Sequence, residues 1–197
     1  MKKAIFLDRD GIINELIYFP EVGVVDTPMN AGQVKLTFGI DQLIRQAKKL
    51  GYLIIVISNQ PAIGLNKITD KEFNLIDKKI HNLLLKKDAK PDVFYYCFHH
   101  PYAKLAKYRQ ECTCRKPKIG LFLKAVKQFD IDINKSWMVG DGVDDIKAGK
   151  NAGCKTILLA NINSTENLRI IEQQLGGIKP DFIIKKLPEA LNIINNS

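Results

Sequence analysis

Three apolar runs in this chain each stop at polar residues that could share one site. Residues 3–7 lead into Asp8-Arg9-Asp10, residues 53–57 into Ser58-Asn59, and residues 137–139 into Gly140-Asp141. Carboxylates gathered at one place supply the hard oxygen ligands that a magnesium ion requires. One carboxylate held near such a cation can attack phosphorus and form an acyl phosphate. A second, two residues along, can protonate the leaving oxygen and then activate water. Hydroxyl, amide and ammonium donors such as Ser58, Asn59 and a lysine suit the oxygens of a phosphoryl group in transfer. Taken singly, each residue also has a plain reading. Asp-Arg-Asp-Gly makes a reasonable turn, and Asp141 could be a helix N-cap.

A second group carries different chemistry. Cys97 and His99, then Cys112 and Cys114, form two short-spaced pairs of soft or borderline ligands separated by a loop, the complement of a closed tetrahedral zinc site. His100 stands beside His99 as a competing ligand, and loop thiols with a surface histidine are the alternative. Cys154 lies alone before an apolar run and reads as a buried structural thiol.

These groups need elements to position them. Apolar runs alternate with helical patterns, the signature of a parallel sheet flanked by helices. Strands are expected at 3–7, 53–57, 93–96, 137–139, 156–159 and 181–184. Helices are expected at 39–50, from the Thr69-to-Glu72 capping box to about 87, and at 119–129, 144–151, 165–175 and 187–194. Ligands in open α/β sheets bind outside the carboxyl ends of the strands, which would bring Asp8, Asp10, Ser58, Asn59 and Asp141 to one crevice. Residues 14–38 and 98–118 fall outside the alternation. The first reads as an insert able to cover a site, the second as a loop held by metal.

The chain has 197 residues, 46% of them hydrophobic and 26% charged, which is ordinary for a globular protein. One domain spanning 1–197 is expected. No apolar run approaches the ~20 residues of a membrane helix, and the opening residues do not read as a signal peptide. A cytoplasmic monomer with no membrane partner is the expectation. The formal charge of +9 favours anionic partners. Its lysines are scattered over apparent helix surfaces, so a small phosphorylated metabolite is expected and nucleic acid is not. A zinc-containing nucleic-acid module, the competing class, would leave the aspartates unexplained.

In order, Phe6-Leu7-Asp8-Arg9-Asp10-Gly11, Ile57-Ser58-Asn59-Gln60, Arg115-Lys116-Pro117 and Gly140-Asp141 to Asp145 match the four motifs of the haloacid dehalogenase (HAD) phosphatases, which this chain resembles. The resemblance implies a Rossmann-like fold, a nucleophilic Asp8 and a general acid/base Asp10. It implies phosphate binding by Ser58 and Lys116, and magnesium held by Asp8, the Asp10 carbonyl and Asp141 with Asp145 in support. The Cys-x-Cys-Arg-Lys-Pro run and Tyr96-Cys97-x-His99-His100-Pro101 are similar to the subgroup of heptose bisphosphate and histidinol-phosphate phosphatases. That implies no large cap domain, structural zinc on Cys97, His99, Cys112 and Cys114, and Arg115 as a substrate ligand. Its implied activity is phosphatase action on a small phosphorylated sugar, first of all heptose 1,7-bisphosphate at the 7-phosphate, with histidinol phosphate or another small sugar phosphate as the alternative. Ile12 stands where the subgroup usually has Thr, and Leu65 where the heptose enzymes usually carry Arg nearby.

Overall fold

The computed structural model describes residues 1–160 and 165–196. In chain order its elements are β1 (Lys3–Leu7), β2 (Ile17–Phe19), β3 (Val24–Asp26), α1 (Ile40–Lys49), β4 (Tyr52–Asn59), α2 (Asp70–Lys86) and β5 (Val93–Cys97). They continue with α3 (Gly120–Phe129), β6 (Trp137–Gly140), α4 (Val143–Ala152), β7 (Lys155–Leu159), α5 (Thr165–Leu175), β8 (Phe182–Ile184) and α6 (Pro188–Asn195). Six strands form a parallel sheet in the order β5-β4-β1-β6-β7-β8.

Strand β1 sits in the middle because it is apolar on both faces. Ala4, Ile5, Phe6 and Leu7 are all fully buried, and each large aliphatic or aromatic side chain removed from water contributes about 1.5–3 kcal/mol. Ile5 and Leu7 join Ile54, Val56 and Val139 in a core that also takes Leu43 of α1, Ile76 of α2 and Ile194 of α6. Ala4 and Phe6 face the other way, against Ile55, Ile57, Met138 and the Leu121–Phe122 pair of α3. Two layers of helix therefore hold one sheet, and β1 has no freedom to tilt.

The chain travels from β1 through β4 to β5 on one side, then returns to β6 on the other side of β1. The order thus reverses between β1 and β6, where open α/β sheets bind ligands. Leu7 pairs with Val56 and with Val139. The residues just beyond these positions meet at one end of the sheet.

The expected alternation stands, with boundaries moved by one or two residues. Ser58 and Asn59 prove to be the last residues of β4 rather than the first after it. The Thr69–Glu72 capping box opens α2. Asn192 and Asn195 belong to α6. The main departure is the segment 14–38, expected as a loop. It contains a β2–β3 antiparallel hairpin tied down by a Lys67–Asp26 ion pair at 2.6 Å. Its strands are three residues long and none of their residues is buried, so no buried alternation marks them.

Candidate active site

Asp8 follows β1 directly, and its backbone N–H donates to Val139 O at 3.1 Å, which sets it beside the end of β6. Asp141 follows β6, and Asp145 lies one turn into α4. A carboxylate oxygen of each of these three lies within 4.8 Å of the others. Asp141 does not cap α4. The N-cap is Gly142, whose N–H donates to Asp145 Oδ2 at 3.0 Å. Two glycines make the crowding possible. A Cβ on Gly11 would stand 2.0 Å from Asp141 Oδ2, at a φ of +86° that L side chains rarely adopt, and one on Gly140 would stand 2.2 Å from Asp145 Cβ.

Lys116 supplies the opposing charge. Its Nζ lies 2.9 Å from Asp8 Oδ1, 2.5 Å from Asp145 Oδ1 and 2.9 Å from Ile57 O, with 3% of the side chain exposed. Burial opposes its charge, but Asp145 and Asp8 outweigh that and hold its pKa above the ordinary lysine value. One lysine cannot balance three carboxylates. Burial, then Asp8 and Asp145, push Asp141 well above the usual carboxylate range, and burial raises Asp8 despite Lys116. Three close carboxylates facing one lysine leave a surplus of buried negative charge, which fits an oxygen-seeking divalent cation such as magnesium.

Asp10 stands apart from that cluster. Arg9 Nη2 donates to its Oδ1 at 3.1 Å and Oδ2 at 3.0 Å, Asn14 Nδ2 to Oδ1 at 2.9 Å, and Gln60 Nε2 to Oδ2 at 2.5 Å. Arg9 is 1% exposed and lies over the rings of Phe73 and Tyr96, at 5.4 and 5.8 Å from their centroids. Gln60 also donates to Ser58 Oγ at 3.1 Å. Arg9, Asn14 and Gln60 escaped the sequence reading. An arginine in a charged tripeptide looks solvated, and only the aromatic residues across the fold reveal that it is buried.

Asn59 has a partner that the sequence did not suggest. Its Oδ1 accepts from Lys116 N at 3.0 Å and its Nδ2 donates to Lys116 O at 3.1 Å. These two contacts set the backbone that carries the lysine. Arg115, next door, donates from Nη1 to His99 O at 3.3 Å. Arg115 and Lys116 line a cleft of about 270 Å³ with Pro101, Gln110 and Asp144.

The thiols gather as expected. Cys97 Sγ lies 3.6 Å from Cys112 Sγ and 3.1 Å from Cys114 Sγ, and His99 Nδ1 lies 3.3 Å from Cys114 Sγ. All are free of disulfides. A tetrahedron with Zn–S of about 2.3 Å has edges of about 3.8 Å, so this quartet is close to zinc dimensions. The competing His100 turns away and accepts from Tyr102 N at 3.1 Å. The cluster pins β5 to the loop that delivers Arg115 and Lys116.

A parallel sheet whose strand order reverses beside a central strand ending in a carboxylate, a buried lysine and an acidic pocket for a divalent cation define a metal-dependent phosphatase of the HAD class. The HAD-hydrolase-like family model matches residues 113–190. The chain is 38% identical over 159 residues to D-glycero-beta-D-manno-heptose-1,7-bisphosphate 7-phosphatase of Haemophilus influenzae, covering 81% of this chain and 82% of that one. The enzyme of the same name from Haemophilus ducreyi is 31% identical over 98% of this chain and 99% of its own. D,D-heptose 1,7-bisphosphate phosphatase from B. bronchiseptica, solved with magnesium and phosphate, superposes with a TM-score of 0.77 at 22% identity, covering 98% of each chain. The chain belongs to the heptose bisphosphate phosphatase family of HAD-like phosphatases.

Proposed function

We propose that this phosphatase removes the 7-phosphate of D-glycero-β-D-manno-heptose 1,7-bisphosphate, with Asp8 as nucleophile and Asp10 as acid and base. The observation that carries the chemistry is the meeting of Asp8, Asp141, Asp145 and Lys116 where the strand order reverses. The relatives' shared substrate supports the sugar.

In the first step a carboxylate oxygen of Asp8 bonds to phosphorus as the bond from phosphorus to the 7-oxygen breaks. The leaving oxygen keeps that electron pair and takes a proton from Asp10. In the second step Asp10 accepts a proton from a water molecule whose oxygen attacks the aspartyl phosphate, releasing inorganic phosphate and restoring the Asp8 carboxylate. Lys116 and Ser58 hold the phosphoryl oxygens in both steps. A magnesium ion on Asp8, Asp141 and the Asp10 carbonyl, with Asp145 in support, would neutralise phosphate charge. Arg115, whose planar fork suits bidentate contact, engages the distal 1-phosphate. We take residues 1–197 as one catalytic unit, because α6 packs onto α1 in the core beneath the site.

A panel of phosphorylated metabolites with magnesium present tests this reading. Heptose 1,7-bisphosphate should exceed histidinol phosphate and simple hexose phosphates in kcat/KM. Equal rates on all of them would remove the heptose assignment. Asp8→Asn should lower turnover by at least about 10⁴-fold, the scale seen when a nucleophile is lost, with the fold intact by circular dichroism. Arg115→Ala should reduce kcat/KM for the bisphosphate by about 10–100-fold, in line with a lost charge-assisted contact, and affect a monophosphate less.

A further inference from the structure

Gln60 has no part in the steps above, yet it joins two groups that do. Its side-chain nitrogen carries two hydrogens, one pointed at Asp10 Oδ2 and the other at Ser58 Oγ. Its backbone N–H donates to Cys97 O at 2.7 Å, and the side chain is 2% exposed, so it has little room to turn.

The donors around Asp10 divide by oxygen. Oδ1 faces Asn14 and Arg9. Oδ2 faces Arg9 and Gln60, and Gln60 alone of the three donor residues also bonds to Ser58. A general acid must present its proton to the oxygen that leaves phosphorus, and Ser58 holds the oxygens of that same phosphoryl group. We infer that Gln60 is a positioning residue for leaving-group protonation: by tying Asp10 Oδ2 to Ser58 Oγ it keeps the acid's reactive oxygen on the phosphoryl side. The inference rests on the roles proposed above for Asp10 and Ser58.

Protonation of the leaving oxygen matters most when that oxygen is strongly basic. Gln60→Met, which keeps the length of the side chain and removes its N–H groups, is therefore assayed on heptose 1,7-bisphosphate, phenyl phosphate and p-nitrophenyl phosphate. Loss of kcat/KM should grow with leaving-group basicity, to about 30-fold or more on the alkyl ester and no more than about threefold on p-nitrophenyl phosphate. Equal losses on all three esters, or no loss on any, would overturn the positioning role. Gln60→Glu, close in shape and unable to donate when ionised, must show the same graded loss, and serves if the methionine variant fails to fold. The outcome is separable from the substrate assignment. The phenyl and p-nitrophenyl esters report on Gln60 even if the heptose is not turned over, and Asp8→Asn tests the nucleophile independently.

Discussion

Asn59 clasps one backbone unit, that of Lys116, with a hydrogen bond from each end of its side-chain amide, and this is how a loop residue acquires the precision of a strand. The ammonium of Lys116 lies within 3 Å of Asp8, Asp145 and Ile57 O, and its backbone is clasped from β4 at 3.0 and 3.1 Å. A displacement of about 1 Å can cost about 10²-fold in rate. Asn59→Ala is therefore expected to lower kcat/KM by about 10–100-fold while the zinc content stays at its wild-type value. An unchanged rate would mean that Lys116 is held by its carboxylates alone. Asp8, Ser58 and Asp141 were legible in the sequence, because polar residues that end apolar strands in an α/β order point to one crevice. The task of Asn59 was not, since a side-chain amide that binds phosphate and one that binds a backbone look identical until the loop carrying Lys116 is laid beside β4. Arg9 and Asn14 were hidden for a similar reason. Their partners are local in sequence, but the burial that gives those contacts weight is set by the fold, for Arg9 by Phe73 and Tyr96.

At the scale of elements, two clasps replace extended secondary structure. The Cys97–His99–Cys112–Cys114 quartet fixes a loop whose one helical segment is the short Ala106–Tyr108 turn. About one zinc per chain is expected by elemental analysis. Cys112→Ser should remove it and lower Tm on the order of 10 °C, corresponding to about 3 kcal/mol for a chain of this size. Protein purified gently without zinc, yet equally stable, would contradict this. The ligand spacing made this cluster readable beforehand, and only the choice between His99 and His100 needed coordinates. The second clasp had no such signature. Asp181, before β8, accepts from Thr156 N at 2.6 Å, Thr156 Oγ1 at 2.9 Å and Lys150 Nζ at 2.6 Å, joining α4, β7 and β8. Burial alone would raise its pKa, but Lys150 and Thr156 prevail and hold it below the usual carboxylate value. A lowered folded-state pKa contributes stability that is present above the unfolded value of about 3.9. That contribution disappears as pH falls through the lowered value. Asp181→Asn should thus cost about 1 kcal/mol at neutral pH, and the difference from wild type should vanish in strong acid. Denaturation midpoints measured across pH would show it.

For the whole molecule, the acidic pocket sets a balance between function and stability. Three mutually close carboxylates against one lysine destabilise the folded chain unless a cation joins them, and a ligand of the folded state alone at about 100 times its Kd adds about 2.7 kcal/mol. Magnesium should therefore raise Tm measurably in the wild type and much less in Asp141→Asn, which should itself be more stable than the metal-free wild type. An equal shift in both would place the ion elsewhere. The layered architecture was legible from alternation alone, whereas the β2–β3 hairpin was not, being too short and too exposed to leave a periodic trace.

The central place of β1 also fixes an order of events during synthesis. One neighbour, β4, follows within about 50 residues, but the other, β6, comes much later. Ala4 N–H and Ser136 Oγ, bonded at 3.0 Å beside that seam, are separated by 132 residues of chain. At about 5–20 residues per second, β1 leaves the ribosome several seconds before β6 exists to cover its second edge. During that interval Asp8 has been synthesised but has no Asp141 beside it. Until translation passes β6 the edge of β1 that faces it keeps its backbone N–H and C=O groups unpaired, a segment on which a chaperone or a stray strand could settle.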